Sequence, residues 1–125
     1  ATAVIGTSTP PLERAPVANA RVVDAFGNSL AEVSVDQQVQ IEADLVNGQD
    51  GDQSFAYLVQ VQNSDGVTVS LAWITGQLAA GQSFSPALSW IPDASGSYEA
   101  TVFVWESVDN PTALSDTTSV SITVV

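Results

Sequence analysis

The side chains able to do chemistry in this 125-residue chain are nearly all carboxylates: fourteen Asp and Glu stand against two Arg, with no Lys, His, Cys or Met. Without His or Cys there is no Ser-His or Cys-His nucleophile and no zinc site of the usual ligands, and without Lys no Schiff base or Walker loop. A net charge of -12 repels phosphates and leaves no cationic stripe, so nucleic acid is excluded as a partner. Two kinds of chemistry are left to carboxylates. A pair could hydrolyse a glycoside, but no two acids stand beside an aromatic-lined cleft in so small a chain, and no enzyme activity is expected. A cluster could hold calcium. Asp50 and Asp52 in one loop and Asp109 in another fall at one pole of an alternating strand topology and are the candidates. They lack the ligand spacing of an EF-hand, so solvated loop acids are the default and no cofactor is expected.

The stretch Asp93 to Glu106 places the aromatic candidates. Tyr98, Ala100, Val102 and Val104 share one face of an alternating strand, and Glu99, Thr101, Phe103 and Trp105 share the other. A neighbouring strand that points Tyr57, Val59 and Val61 inward leaves Ala56, Leu58, Gln60 and Gln62 outside, beside Phe103 and Trp105. That apolar outer face is either covered by a loop or the proline segment of the same chain, or is where another copy docks. Trp73 and Trp90 each end an alternating run and read as core or edge-packing residues.

The elements that position these residues are all strands. An apolar fraction of 45% and a positive mean hydropathy indicate one folded domain. No apolar run is long enough to span a membrane. Strands are expected at 20–25, continuing at 30–35 along an edge, then at 38–46, 55–63, 67–74, 83–90, the Tyr98 run and 117–125, with no helix. In the last, Val120, Ile122 and Val124 face inward. Ser64-Asp65-Gly66 marks the clearest hairpin, and Pro86 an edge position. Seven principal strands in this length predict an antiparallel Greek-key β-sandwich over 17–125. Ahead of it, Ala1 to Thr9 is β-capable, and Pro10, Pro11 and Pro16 make a linker, giving an N-terminal unit at 1–16.

Asp93-Ala-Ser-Gly96-Ser-Tyr98-Glu-Ala100 resembles the sixth-strand segment of immunoglobulin-like and fibronectin-III-like domains. The resemblance implies that Tyr98 makes their tyrosine corner. Ala100 stands where an antibody domain has its second Cys, so the disulfide of that family is absent. The runs at 55–62, Ser89-Trp90-Ile91-Pro92 and Phe103-Val104-Trp105-Glu106, with the Gly81 turn and Asn110-Pro111, are similar to Ig-like repeats of secreted archaeal surface proteins, which implies an extracellular place. Ala1 in place of an initiator Met fits a mature secreted form. All five Asn fail the N-x-[ST] rule, so N-glycans are not expected, whereas Thr7, Ser8 and Thr9 could carry O-glycans. Asn47-Gly48 reads as a labile, exposed turn.

These features predict an extracellular structural subunit that self-assembles without covalent bonds into a surface filament or layer. Its assembly residues are Ala1, Ala3, Val4 and Ile5 of the leader and Leu58, Phe103 and Trp105 of the face. The leader has three outcomes open to it: folding back, fraying, or adding as a strand to the next copy. The alternative is a binding or adhesion module of a larger surface protein that recognises carbohydrate or protein.

Overall fold

A computed structural model describes residues 14–125, so the expectations placed on Ala1, Ala3, Val4 and Ile5 lie outside the described residues. The regular elements are β1 (Val17–Val23), β2 (Val39–Val46), β3 (Gln53–Asn63), β4 (Thr68–Leu78), β5 (Ser83–Phe84), β6 (Ala87–Trp90), β7 (Gly96–Trp105) and β8 (Thr118–Val124). All pairings between these strands are antiparallel. One sheet runs β1-β2-β5 with β6 also on β2, and the other runs β4-β3-β7-β8.

Alternation dictates which faces meet. Val39, Ile41, Ala43 and Leu45 of β2 are buried, as are Tyr57, Val59 and Val61 of β3 and Tyr98, Ala100, Val102 and Val104 of β7. These inward sets interdigitate into the core of a β-sandwich. Tyr57 ties the two layers together, its hydroxyl donating to the Ile41 carbonyl at 3.2 Å, and burial pushes its phenol pKa up. Tyr98 meets Trp90 edge-on at 5.0 Å, and its hydroxyl donates to the Ala94 carbonyl at 2.8 Å. That is the tyrosine-corner bond the resemblance implied.

Four details differ from the sequence reading. The first strand, expected at 20–25, runs instead from Val17 to Val23. The strand expected at 83–90 is split into β5 and β6, because Pro86 has no N–H to give β2 and instead accepts from Ala43 N through its carbonyl. Between Leu30 and Val35 there is one isolated bridge, Val33 to Val124, rather than a strand. β4 runs four residues further than expected, to Leu78. It follows β3 over its whole length, Gln53 opposite Leu78 and Gln62 opposite Thr68, with an irregularity at Val69.

The connections alternate between two poles. The 47–52, 79–82 and 106–117 segments cap the first, where Leu114 is fully buried. The second holds the turns at 24–29, 64–67 and 91–95. Ala15 is also fully buried, and residues 14–16 prolong β1's ladder, Gly48 N donating to Arg14 O at 3.2 Å and Val46 N to Pro16 O at 3.3 Å.

Candidate functional site

Leu58 lies at the centre of the site. It sits mid-way along β3, opposite Trp73 of β4 on one side and Phe103 of β7 on the other. Together with Gln60, Leu71, Trp105 and Val108 these side chains line a groove of about 340 Å³ on the outer face of the β4-β3-β7-β8 sheet. Phe103 and Trp105 stand at tilted ring contact, 6.3 Å between centroids.

Leu58, Phe103 and Trp105 of the expected face therefore lie together, but their exposures differ from the sequence reading. Leu58 and Ala56, both expected outside, are buried. The indole of Trp105, opposite Ala56, and the rings flanking Leu58 close over them. Phe103 and Trp105 are half-buried, since the segment after β7 folds back beside them. Ala113 bridges to Trp105, and Leu114 N donates to Val104 O at 2.8 Å. Part of the apolar face is thus covered by its own chain, and the open part lies on β4.

Trp73 was read as a core or edge-packing residue. It is instead 50% exposed, beside Leu71 at 54%. The signal for this was in the hairpin. The turn after Asn63, held by Asn63 Oδ1 accepting from Asp65 N and Val67 N, sets a register that puts Trp73 opposite Leu58 and Leu71 opposite Gln60. The outward parity of β3 passes to β4. Trp90 is buried, as expected.

Two separate recesses lie along the side of the sandwich between β4 and the β5–β6 edge, where β4 and β6 also approach each other. The one near the second pole, of about 570 Å³, is lined by Val69, Ser70, Ser89, Trp90, Ile91, Asp93 and Tyr98. The one near the first is smaller, about 270 Å³, and includes Phe55, Ile74, Gly76 and Phe84. Gly76 lets β4 pass close to Phe55, because a Cβ there would lie 3.0 Å from the ring.

The charged groups form no comparable site. Among the described residues no three His, Cys, Asp or Glu come together to hold a metal, so Asp50, Asp52 and Asp109 do not converge into a calcium cage. Arg21 lies between Glu42 and Asp44 on the outer face of the other sheet, 3.1 Å from Asp44 and hydrogen-bonded to Glu42. Asp44 also accepts from the Ser85 hydroxyl at 2.7 Å and Asn19 Nδ2 at 3.1 Å. Ser85, then Arg21 and Asn19, bring its carboxyl down to about 2. This is a satisfied surface network rather than a reactive one. Asn47, read as an exposed labile turn, is fully buried. Its amide nitrogen lies 2.8 to 3.1 Å from the carbonyls of Gly51, Leu78 and Ala79, so it is a structural clamp.

No family model matches the chain, and no curated protein matches it. Solved structures with a similar fold include the C-terminal domain of wzt, with a TM-score of 0.72 at 14% identity over 90% of this chain and 74% of that one. The CARDB domain of a Pyrococcus furiosus protein, solved in complex with di-metal ions, gives 0.63 at 16% over 94% and 98%. A β-glucuronidase of glycoside hydrolase family 2 also gives 0.63, at 13% identity over 87% of this chain but only 11% of that enzyme. At these identities the likeness shows the fold, an Ig-like β-sandwich. The match to the β-glucuronidase is to one small part of that protein, so no catalytic role follows from it.

Proposed function

We propose that the chain is a non-catalytic structural module of an extracellular or cell surface, which associates with further copies of itself without covalent bonds. The observation that carries this reading is the character of β4. It is an edge strand with no charged residue and no proline, in a chain that otherwise carries fourteen acids. Its exposed Leu71 and Trp73 continue the aromatic groove around Leu58. Natural edge strands are usually short, charged or covered, because a bare edge templates pairing with another chain. An apolar centre with a polar rim of Gln60, Thr75, Gln77 and Glu99 has the anatomy of a protein contact. The leader, Ala1 to Ile5, supplies the strand in this reading, and successive head-to-tail additions give an open filament.

The groove also supports a second reading, a module that docks on a different protein. Its lining favours protein over carbohydrate. Apart from the indole N–H groups of Trp73 and Trp105, Gln60 is the one polar side chain there, and its amide already donates to Thr68 Oγ1 at 2.8 Å, whereas a sugar needs several free polar partners. Sedimentation and negative-stain imaging of the full chain against one lacking residues 1–9 separate the two. Self-association predicts long polymers from the full chain that vanish on truncation. A full chain that stays monomeric at every concentration rejects it.

A further inference from the structure

Four strand edges bound the two sheets, and the described residues treat them differently. β1's edge is met by the returning chain, with a bridge from Val23 to Ser29 and Leu30 N donating to Val22 O at 2.9 Å. β8's edge is covered toward the second pole, where Val33 N donates to Thr123 O at 2.9 Å and Val125 N to Val33 O at 2.8 Å. The β5–β6 edge is broken at Pro86 into pieces of two and four residues. β4 alone offers eleven residues without charge or proline, and among the described residues its ladder partner is β3 on one side only. It also has apolar surface on both faces. Leu71 and Trp73 point outward, while Ile74 packs against the core and lines the smaller of the two recesses toward β5 and β6.

We propose that the β4 edge, flanked by these two recesses, is the acceptor site, and that its occupant is the segment Ala1–Thr9 of a second copy, laid along β4 as an additional strand. The inference rests on the self-association reading and names the site it uses. Three observations select this occupant. First, Ala1–Thr9 and β4 both lack ionisable side chains. Two whole bodies of charge -12 meeting edge to edge would repel, whereas an uncharged strand on a proline linker brings no side-chain charge to that edge. Second, the lengths agree. Nine extended residues span ~30 Å and the eleven of β4 ~36 Å. Laid along β4 as a strand, the neighbours Val4 and Ile5 would present apolar side chains to opposite faces, matching a β4 that carries Leu71 and Trp73 on one face and Ile74 on the other. Third, the described chain begins on the side of the sandwich away from this edge: Arg14 O and Pro16 O accept from Gly48 N and Val46 N, and Ala15 N donates to Leu114 O, on the side of β2 opposite β5 and β6.

The chain has no cysteine, so introduced thiols report proximity without background. Ile5→Cys is combined in turn with Ser70→Cys, Ala72→Cys and Thr75→Cys in the full chain, and with Ala31→Cys, beside the opposite edge, as control. Oxidised assemblies should give a reducible ladder of multimers with at least one β4 position and none with Ala31→Cys. Thr75→Lys, an exposed position, should abolish assembly while leaving the melting temperature unchanged. A disulfide confined to monomers would show that the leader adds to its own β4. Intact polymers with no β4 ladder would place the acceptor elsewhere, and multimers from Ala72→Cys without Ile5→Cys would mean β4 pairs with β4. Each of these overturns the inference while leaving self-association standing. A parent chain that never assembles rejects both.

Discussion

Asn47 and Asp44 show polar side chains in opposite roles. The Asn47 amide serves three carbonyls on two loops, and its Oδ1 accepts from Gln49 N at 3.1 Å. Asn47→Ala would remove those bonds, and loss of the buried one, to Leu78 O, costs about 1 to 3 kcal/mol. Urea unfolding of the variant should show at least that loss, and an unchanged midpoint would mean the first pole is held by other contacts. The burial also protects the Asn-Gly step, because its backbone N–H donors and side chain are already engaged. Asp44 has a folded-state pKa lowered to about 2, so its stabilisation is complete above the ordinary carboxylate pKa and is lost as pH falls through about 2. Its side chain is 43% exposed, so solvent screens the effect to under about 1 kcal/mol. Stability measured between about pH 5 and about pH 2 should fall less in Asp44→Asn than in the parent. Equal slopes would assign the acid sensitivity to other carboxylates. Residue types in the sequence exclude Ser-His and Cys-His nucleophiles and Schiff-base lysines. They could not say that Asn47 was a clamp, because that depends on loops at 51 and 78–79 closing around it.

At the scale of elements, the strands were legible wherever one face is buried, because alternation at period two is imposed by the core itself. β2, β3 and β7 read out directly. β4 was less legible, since apolar residues occupy both its parities and period two then names no inner face. The hairpin register settles it through Leu58 opposite Trp73. This makes Trp73 a cleaner probe of the outer face than Trp105, which packs on Phe103 and bridges Ala113. Trp73→Ser should lower the melting temperature little, within about 0.5 to 1 kcal/mol of stability for a half-exposed side chain, yet sharply reduce sedimenting assemblies. A large stability loss with assembly unaffected would mean that the indole serves the fold and not a partner. Pro86 shows a local rule with a tertiary consequence. By breaking the β5–β6 edge it leaves β4 facing an interrupted neighbour, and the side of the sandwich stays open there.

For the molecule as a whole, the sequence by itself determined the class of fold and the chemistry that is missing. Alternation, turn residues and the Tyr98 segment require an all-β sandwich, and the absence of Lys, His and Cys removes Schiff-base lysines and Ser-His and Cys-His nucleophiles whatever the arrangement. Both are properties of residue types and near-neighbour spacing, which survive without knowledge of distant contacts. The sequence also pointed to the face containing Leu58, Phe103 and Trp105. Tertiary structure decided how much of that face is available. The chain after β7 folds back over one half, Leu58 sinks beneath its flanking rings, and the exposed surface moves to Leu71 and Trp73. It also decided which edge has no second ladder partner among the described residues, since that depends on where the 29–35 segment lies after leaving β1 and on what Pro86 interrupts. Whether a strand end is covered depends on residues far away in sequence, and no local pattern encodes it.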